Sequence, residues 1–387
     1  MAEKRRLRIG VLFGGRSGEH EISLRSALTV ISSLDRRRYD VVPIAIDHDG
    51  RWYLETDALA QIASAAAELG SLTAGGTAVS LLPYPDHRDL VRTDNTSHGA
   101  SSRNGSSPFP GPLDVIFPVL HGTFGEDGTV QGLLDLAGIP YVGSGVLGSA
   151  VGMDKDMQKR LLRDAGVPVV RYAVVRDFEN RATPASARTA AASLGYPLYV
   201  KPNALGSSIG VARVAAPGEL GRALKEAFRY DRKVLLEASC EGRELECAVL
   251  GNDQPRASVV GEIVVRGEHH FYSYESKYID PDGARIEIPA RLPAAVSKRI
   301  RSLAVMAFRA LDLRGMARVD FFVRRDLSEI FVNEVNTIPG FTSISMYPKL
   351  WEASGVKLPK LIDRLVALAL EDHVARRGLE FTYQPPR

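Results

Sequence analysis

Cysteine is nearly missing from this 387-residue chain, which holds only Cys240 and Cys247. Two thiols cannot build the disulfide framework of a small secreted fold, and neither has metal-ligand spacing to a histidine. A reducing compartment and a cytoplasmic location are therefore expected. Also missing is any apolar run long enough to span a bilayer, so no membrane partner is expected. The basic triplet Lys4-Arg5-Arg6 precedes only a short apolar run, Leu7 to Phe13, which ends at Gly14-Gly15-Arg16 and reads as a first strand, not a signal peptide. Charge of one sign is scarce too. The formal net charge is +3, and no basic stripe interleaved with aromatics exists, which excludes nucleic acid as an expected partner. What is present is an ordinary globular composition, 45% hydrophobic and 25% charged, at a length that suits two or three domains.

The chain opens with a buried-type strand over 7–13, a turn Gly14-Gly15-Arg16-Ser17-Gly18 and a helical run over 23–34. That order begins a doubly wound α/β layer, although these glycines do not fall as G-x-G-x-x-G. Ligands of such sheets bind at the carboxyl ends of the strands, where Glu19 sits here. Strands follow over 39–46 and 52–54. The segment 94–112, rich in Asn, Ser, Gly, Pro and His, has almost nothing to bury and is expected to be a disordered surface insertion. The next strand, over 113–120, runs into His121-Gly122-Thr123-Phe124-Gly125-Glu126-Asp127-Gly128. This glycine loop opens a helix over 129–137 and puts His121 at ligand height.

A helix over 154–165 begins what reads as a second domain. Its strand Leu198-Tyr199-Val200-Lys201-Pro202 leads into a Gly/Ser loop, 203–210, and another strand over 211–214. The loop is not a Walker A, which needs a lysine after its last glycine and then a helix. A glycine loop between two strands with a lysine beside it resembles the way kinases cover ATP, its backbone N-H groups cradling phosphate oxygens. Glu237 ends a strand over 234–237, where its carboxylate would receive an adenine amino group or ribose hydroxyls. The tyrosine-rich stretch 269–282 shows no period and suits a lid. A final helix is expected over 358–373.

The most informative stretch runs from Gly315 to Ser345. Alternation with period two predicts a hairpin in which Arg318, Asp320 and Phe322 share a face of the first strand and Ile330, Val332, Glu334 and Asn336 share a face of the second, converging on one side. Centred on Leu327, the hairpin sets Asp320 opposite Glu334 and Arg318 opposite Asn336. Facing carboxylates repel, so a cation must neutralise them. Oxygen-only donors beside phosphates suit Mg²⁺. The alternative is a solvated strand face with Arg318 as local counter-ion. The turn 336–343 that follows is rich in small residues, and its N-H groups suit an oxyanion.

Together these motifs resemble the D-alanine-D-alanine ligase family of the ATP-grasp superfamily over nearly the whole chain. The resemblance rests on the segments 14–19 and 121–128, on Arg318-Val319-Asp320 and on Glu334-Val335-Asn336-Thr337-Ile338-Pro339-Gly340. It implies an N-terminal α/β substrate-binding domain (1–143), then a two-part ATP-grasp module of a central subdomain with the glycine loop (144–237) and a C-terminal subdomain with lid and metal site (238–387). It implies ATP-dependent joining of two D-alanines through an acyl phosphate, for peptidoglycan precursors, in a cytoplasmic homodimer. Asp320, Glu334 and Asn336 would hold two Mg²⁺, with Mn²⁺ as a substitute. Lys155, Lys201, Gly206, Ser208, Glu237, Glu244 and Lys277 would bind ATP. Glu19 would fix the first D-alanine and join Ser207 and Tyr278 in one network. Arg318 and Gly340 would stabilise the oxyanion, while Ser343 and Ser345 would take the second carboxylate. His121 resembles the substrate-site histidine. Some members carry a basic residue after the position of Glu237; this chain has Ala238, and Phe271 is the expected adenine partner instead. Rival readings are a D-alanine-D-lactate ligase, from which the lid Glu275-Ser276-Lys277-Tyr278 distinguishes the dipeptide-forming type, another ATP-grasp carboxylate-amine ligase, and a non-catalytic nucleotide-binding protein.

Overall fold

A computed structural model describes residues 5–54, 76–85, 87–93, 111–265, 284–380 and 382–383. Its strands form three sheets. The first contains β1 (Leu7–Gly14), β2 (Tyr39–Ile46), β3 (Trp52–Leu54), β4 (Thr77–Leu81), β5 (Leu90–Arg92) and β6 (Val115–Pro118), in the order β5-β4-β3-β2-β1-β6. Only β2, β1 and β6 run parallel, and from β2 outward the pairing turns antiparallel. The apolar run of β1 is buried along nearly its whole length, as an interior strand between the parallel β2 and β6 must be when both sheet faces are covered. The insertion read at 94–112 and the lid at 269–282 fall, but for Gly111 and Pro112, outside the described residues.

The middle sheet is antiparallel, with β7 (Tyr172–Arg176), β10 (Lys233–Ala238), β8 (Leu198–Pro202) and β9 (Ala212–Val214) side by side in that order. In the third sheet, also antiparallel, β13 (Ala284–Glu287), β12 (Arg256–Val265), β11 (Gly242–Gly251), β14 (Gly315–Arg324) and β15 (Ile330–Asn336) follow one another. The helix Leu358–Arg377 runs four residues beyond its expected end. It seats Leu361, Ile362, Leu365 and Val366 in a core shared with Ile9 and Phe117 of the first sheet and with Ala248, Leu250 and Met316 of the third. Each such side chain contributes roughly 1.5–3 kcal/mol by leaving water. Among the described residues no helix is long and apolar enough to cross a membrane.

The helix Lys155–Asp164 starts where the sequence puts it, with Asp154 as N-cap accepting a hydrogen bond from the N-H of Met157 at 2.9 Å. Its apolar side packs on the third sheet. Leu162 and Val167 are buried among Val319, Phe321, Val332 and Val335 of the third sheet, and not against the middle one. The cause is the open edge of β15. The Gln158 amide donates to the Val335 carbonyl at 3.1 Å and accepts from its N-H at 3.0 Å, closing that edge as a neighbouring strand would.

The register of β14 and β15 pairs Arg318 with Asn336 and Asp320 with Glu334, as the alternation predicts. Between Asp320 and Phe321 the pairing slips, because Phe321 faces Val332 and Asn333 is left as the extra residue of a bulge. Ile330 and Val332 therefore do not share a face with Glu334 and Asn336. They are buried with Val319, Phe321 and Val323, while the bulge turns the two polar residues to the opposite side.

Candidate active site

A cleft of about 400 Å³ opens between the middle and third sheets, and Asp320 and Glu334 both line it. Three strands put carboxylates in one row across its floor, with Glu246 of β11 opposite Asp320 and Asp320 opposite Glu334. Arg318 answers this charge. Its guanidinium forks onto Asp320 with two hydrogen bonds of 2.7 Å, and its Nε lies 2.9 Å from Glu246 Oε2. The carboxylates hold Arg318 well above its ordinary pKa although burial opposes the charge. Asn336 donates to Asp320 at 3.0 Å, and Lys155 Nζ stands 3.7 Å from Glu334.

The other wall comes from β8, β10 and the glycine loop. Lys201 Nζ contacts Glu237 Oε1 at 2.5 Å, and Lys159 Nζ contacts Oε2 at 2.8 Å. Burial raises the pKa of Glu237, but the two ammonium groups more than offset it and bring the carboxyl down to about 2. Both carboxylate oxygens thus meet lysines, and Glu237 lines the cleft at the end of its strand. Burial opposes the charge on Lys201 as well, yet Glu237 holds that ammonium above its usual range. Glu244 and Ser208 line the cleft, and Lys155 donates to the Leu205 carbonyl at 2.7 Å, which anchors the loop.

Glu19 enters from the first sheet and is gripped by two glycine turns. A Cβ on Gly206 would lie 2.6 Å from Glu19 Oε2, and one on Gly122 (φ +75°) 2.9 Å from the same atom. Ser207 donates to Glu19, and both Ser207 and Ser208 sit in the left-handed region, at φ 51° and 58°. Such backbone is sparsely populated by residues with a Cβ and concentrates at ligand clamps. Phe271, Lys277 and Tyr278 lie outside the described residues.

Below the cleft, His121 is buried with Nδ1 3.1 Å from the Ile338 carbonyl and Nε2 3.2 Å from Ser26 Oγ. Burial keeps its pKa below the ordinary value, so the neutral ring donates to Ile338 and accepts from Ser26. Ser26 in turn accepts from the Phe341 N-H at 3.2 Å. Glu126 spans the same seam, accepting from Gly122 N-H at 3.0 Å and Ile338 N-H at 3.2 Å. Burial and the nearby Glu19 push its carboxyl up to about 8. In the turn 337–342 the Gly340 N-H has no protein acceptor among the described residues. Ser345 Oγ accepts from Thr342 N-H at 3.0 Å and starts the helix Met346–Ala353, absent from the sequence reading, whose N-terminus favours an anion. Ser343 is exposed beside it.

Lys159, Glu126, Glu246 and Asn333 also meet at this site but carry no role in the sequence reading. One signal for Lys159 was available: like charges at i and i+4 in Lys155 and Lys159 repel on a free helix face, and each lysine here meets a carboxylate of its own, Glu334 and Glu237.

A nucleotide-sized cleft between two antiparallel sheets, with lysines and a glycine loop on one wall and a row of carboxylates on the other, defines an ATP-grasp enzyme. Family models described as D-ala D-ala ligase N-terminus and D-ala D-ala ligase C-terminus match residues 8–144 and 161–367, and the chain belongs to that family. It is 50% identical to a D-alanine--D-alanine ligase of Deinococcus radiodurans, covering 94% of this chain and 99% of the relative. It is 47% identical to one of Shouchella clausii, over 98% of each. Among solved structures, the D-alanine-D-alanine ligase of Coxiella burnetii matches with TM-score 0.77 at 38% identity over 97% of both chains. A D-Ala:D-Ser ligase of Enterococcus faecalis matches with TM-score 0.80 at 35% identity, over 94% of this chain and 100% of that one.

Proposed function

We propose that this chain is an ATP-dependent D-alanine-D-alanine ligase that makes the dipeptide for peptidoglycan precursors. The observation that carries the reading is the register of β14 and β15, which turns Asp320, Glu334 and Asn336 to one side, against the lysine wall and glycine loop. A carboxylate resists attack at neutral pH. Transfer of the γ-phosphoryl of ATP to the first D-alanine makes a mixed anhydride with a good leaving group. The amine of the second D-alanine attacks it, and phosphate departs from a tetrahedral intermediate.

Each residue has a task in this scheme. Glu19 fixes the first ammonium, and Ser207 ties it to the glycine loop, with Tyr278 as the third member of the network. Lys155 and Lys201 hold nucleotide phosphates, Gly206 and Ser208 cover them, and Lys277 reaches the transferred group. Glu237, which also anchors Lys201, and Glu244 take the adenosine part of ATP, with Phe271 against the adenine. Arg318 and the Gly340 N-H stabilise the oxyanion, a role in which one fixed donor is worth about 10²–10³ in rate. Ser343 and Ser345 bind the second carboxylate at a helix start, and His121 fixes the turn that presents it.

Two carboxylates and an amide oxygen on facing strand positions are the donor set of a hard divalent ion. Asp320, Glu334 and Asn336 therefore fit two Mg²⁺, or Mn²⁺ in their place, and such ions neutralise charge on the transferred phosphoryl. The free thiols of Cys240 and Cys247 support a cytoplasmic location, and we place the enzyme there as a homodimer.

The test is phosphate release from ATP with D-alanine, against L-alanine, and with D-lactate or D-serine as second substrate. D-alanyl-D-alanine as the main product is expected. Ester or D-Ala-D-Ser as the preferred product at neutral pH would overturn the choice of second substrate, and D-alanine-independent hydrolysis would overturn the ligase.

A further inference from the structure

Lys159 lies outside the cleft lining, at 1% exposure, yet it touches both walls of the site. From the helix Lys155–Asp164 its ammonium reaches Glu237 of the middle sheet at 2.8 Å and donates to the backbone carbonyl of Asn333 at 3.0 Å. Asn333 is the bulged residue of β15, immediately before Glu334. Its side-chain oxygen meets the other lysine, with Lys201 Nζ at 3.4 Å. One residue is therefore held at its carbonyl by Lys159 and at its amide by Lys201, and the same two lysines share Glu237.

A bulge leaves the extra residue outside the strand ladder, so its carbonyl needs a donor from elsewhere. Lys159 supplies that donor. Without the bulge, period two would turn Glu334 toward the core side with Val332. We propose that Lys159 is a positioning residue that fixes the Asn333 bulge, so that Glu334 is aimed at the metal and the nucleotide-side lysine and the metal-side carboxylate are set in register before substrates bind. The inference rests on the metal assignment to Glu334. Lys159 itself touches neither nucleotide nor metal; it acts through Asn333 and Glu237.

The experiment measures Mn²⁺ binding in the presence of ADP, without turnover, by electron paramagnetic resonance, together with D-alanine binding by calorimetry. Glu334→Gln is the reference, expected to weaken Mn²⁺ at least tenfold. Lys159→Met should also weaken Mn²⁺ about tenfold while leaving D-alanine affinity within twofold. Because Lys159→Met leaves the Glu237 charge with one partner fewer, the paired variant Lys159→Met/Glu237→Gln is compared with Glu237→Gln alone. The double variant should still lose Mn²⁺ affinity relative to that single one, and it decides the matter if Lys159→Met does not fold. Unchanged Mn²⁺ binding in the folded Lys159 variants, with Glu334→Gln impaired, would overturn the positioning role. Unchanged binding in Glu334→Gln would overturn the metal assignment beneath it.

Discussion

Two charged clusters face each other across the cleft, and they are built in opposite ways. On the third sheet the carboxylates of Glu246, Asp320 and Glu334 gather around Arg318, with Lys155 at the edge of the row. On the middle sheet Glu237 is outnumbered by Lys159 and Lys201. The first cluster is a row of carboxylates around one guanidinium and the second a pair of ammonium groups around one carboxylate. In the proposed reaction the first would face a cation and the second the phosphate chain bound to it. Asp320, Glu334 and Glu237 all line the cleft, whereas Lys159 lies behind its wall at 1% exposure.

The sharpest way to break this comparison is Glu334→Ala. It should abolish turnover and leave the circular dichroism spectrum unchanged; retained dipeptide synthesis would refute the metal-side reading. Next comes Arg318→Met, expected to lower kcat by about 10²–10³ through loss of a fixed oxyanion donor. A change confined to KM for D-alanine would point to a binding role instead. Gly206→Ala adds a Cβ 2.6 Å from Glu19 Oε2, so the flexible Glu19 carboxylate must move aside. A misplacement of about 1 Å costs roughly 10²-fold in rate, read as kcat/KM for D-alanine.

Stability against pH probes the cluster around Glu237. The carboxyl of Glu237 is held at about 2 against an ordinary 4.5, so its contribution is present above 4.5 and is lost as pH falls toward 2. That shift corresponds to about 3 kcal/mol. Glu126, raised to about 8, has the opposite sign: its contribution is present below 4.5 and lost as pH rises toward 8. Urea unfolding of Glu237→Gln should lack the acid-side loss, and that of Glu126→Gln the loss on the alkaline side. Outside both clusters, Arg364→Ala removes an exposed pair with Glu371 and should move stability by no more than about 0.5 kcal/mol.

The two clusters also differ in how far the sequence reveals them. Asp320, Glu334, Arg318 and Asn336 were legible because strands alternate strictly and a turn centre fixes which residues face. The bulge at Asn333 was not legible. Its partner is the ammonium of Lys159, which lies 174 positions away in the chain, and no local period encodes that contact. The same holds for the helix Lys155–Asp164. Its boundaries follow from the Asp154 cap, but its docking on β15 depends on Gln158 finding Val335 across 177 positions. Glycines were read as loops, yet that Gly122 and Gly206 both make room for Glu19 emerges only when the first sheet meets the middle one.

The account stands or falls on whether the carboxylate of the first D-alanine accepts a phosphoryl group in this cleft. D-alanine labelled with ¹⁸O in both carboxylate oxygens, incubated with ATP and Mg²⁺, separates the possibilities by mass spectrometry of the released phosphate. One ¹⁸O atom per phosphate, in step with D-alanyl-D-alanine formed, is the predicted result. Dipeptide formed with unlabelled phosphate would contradict it.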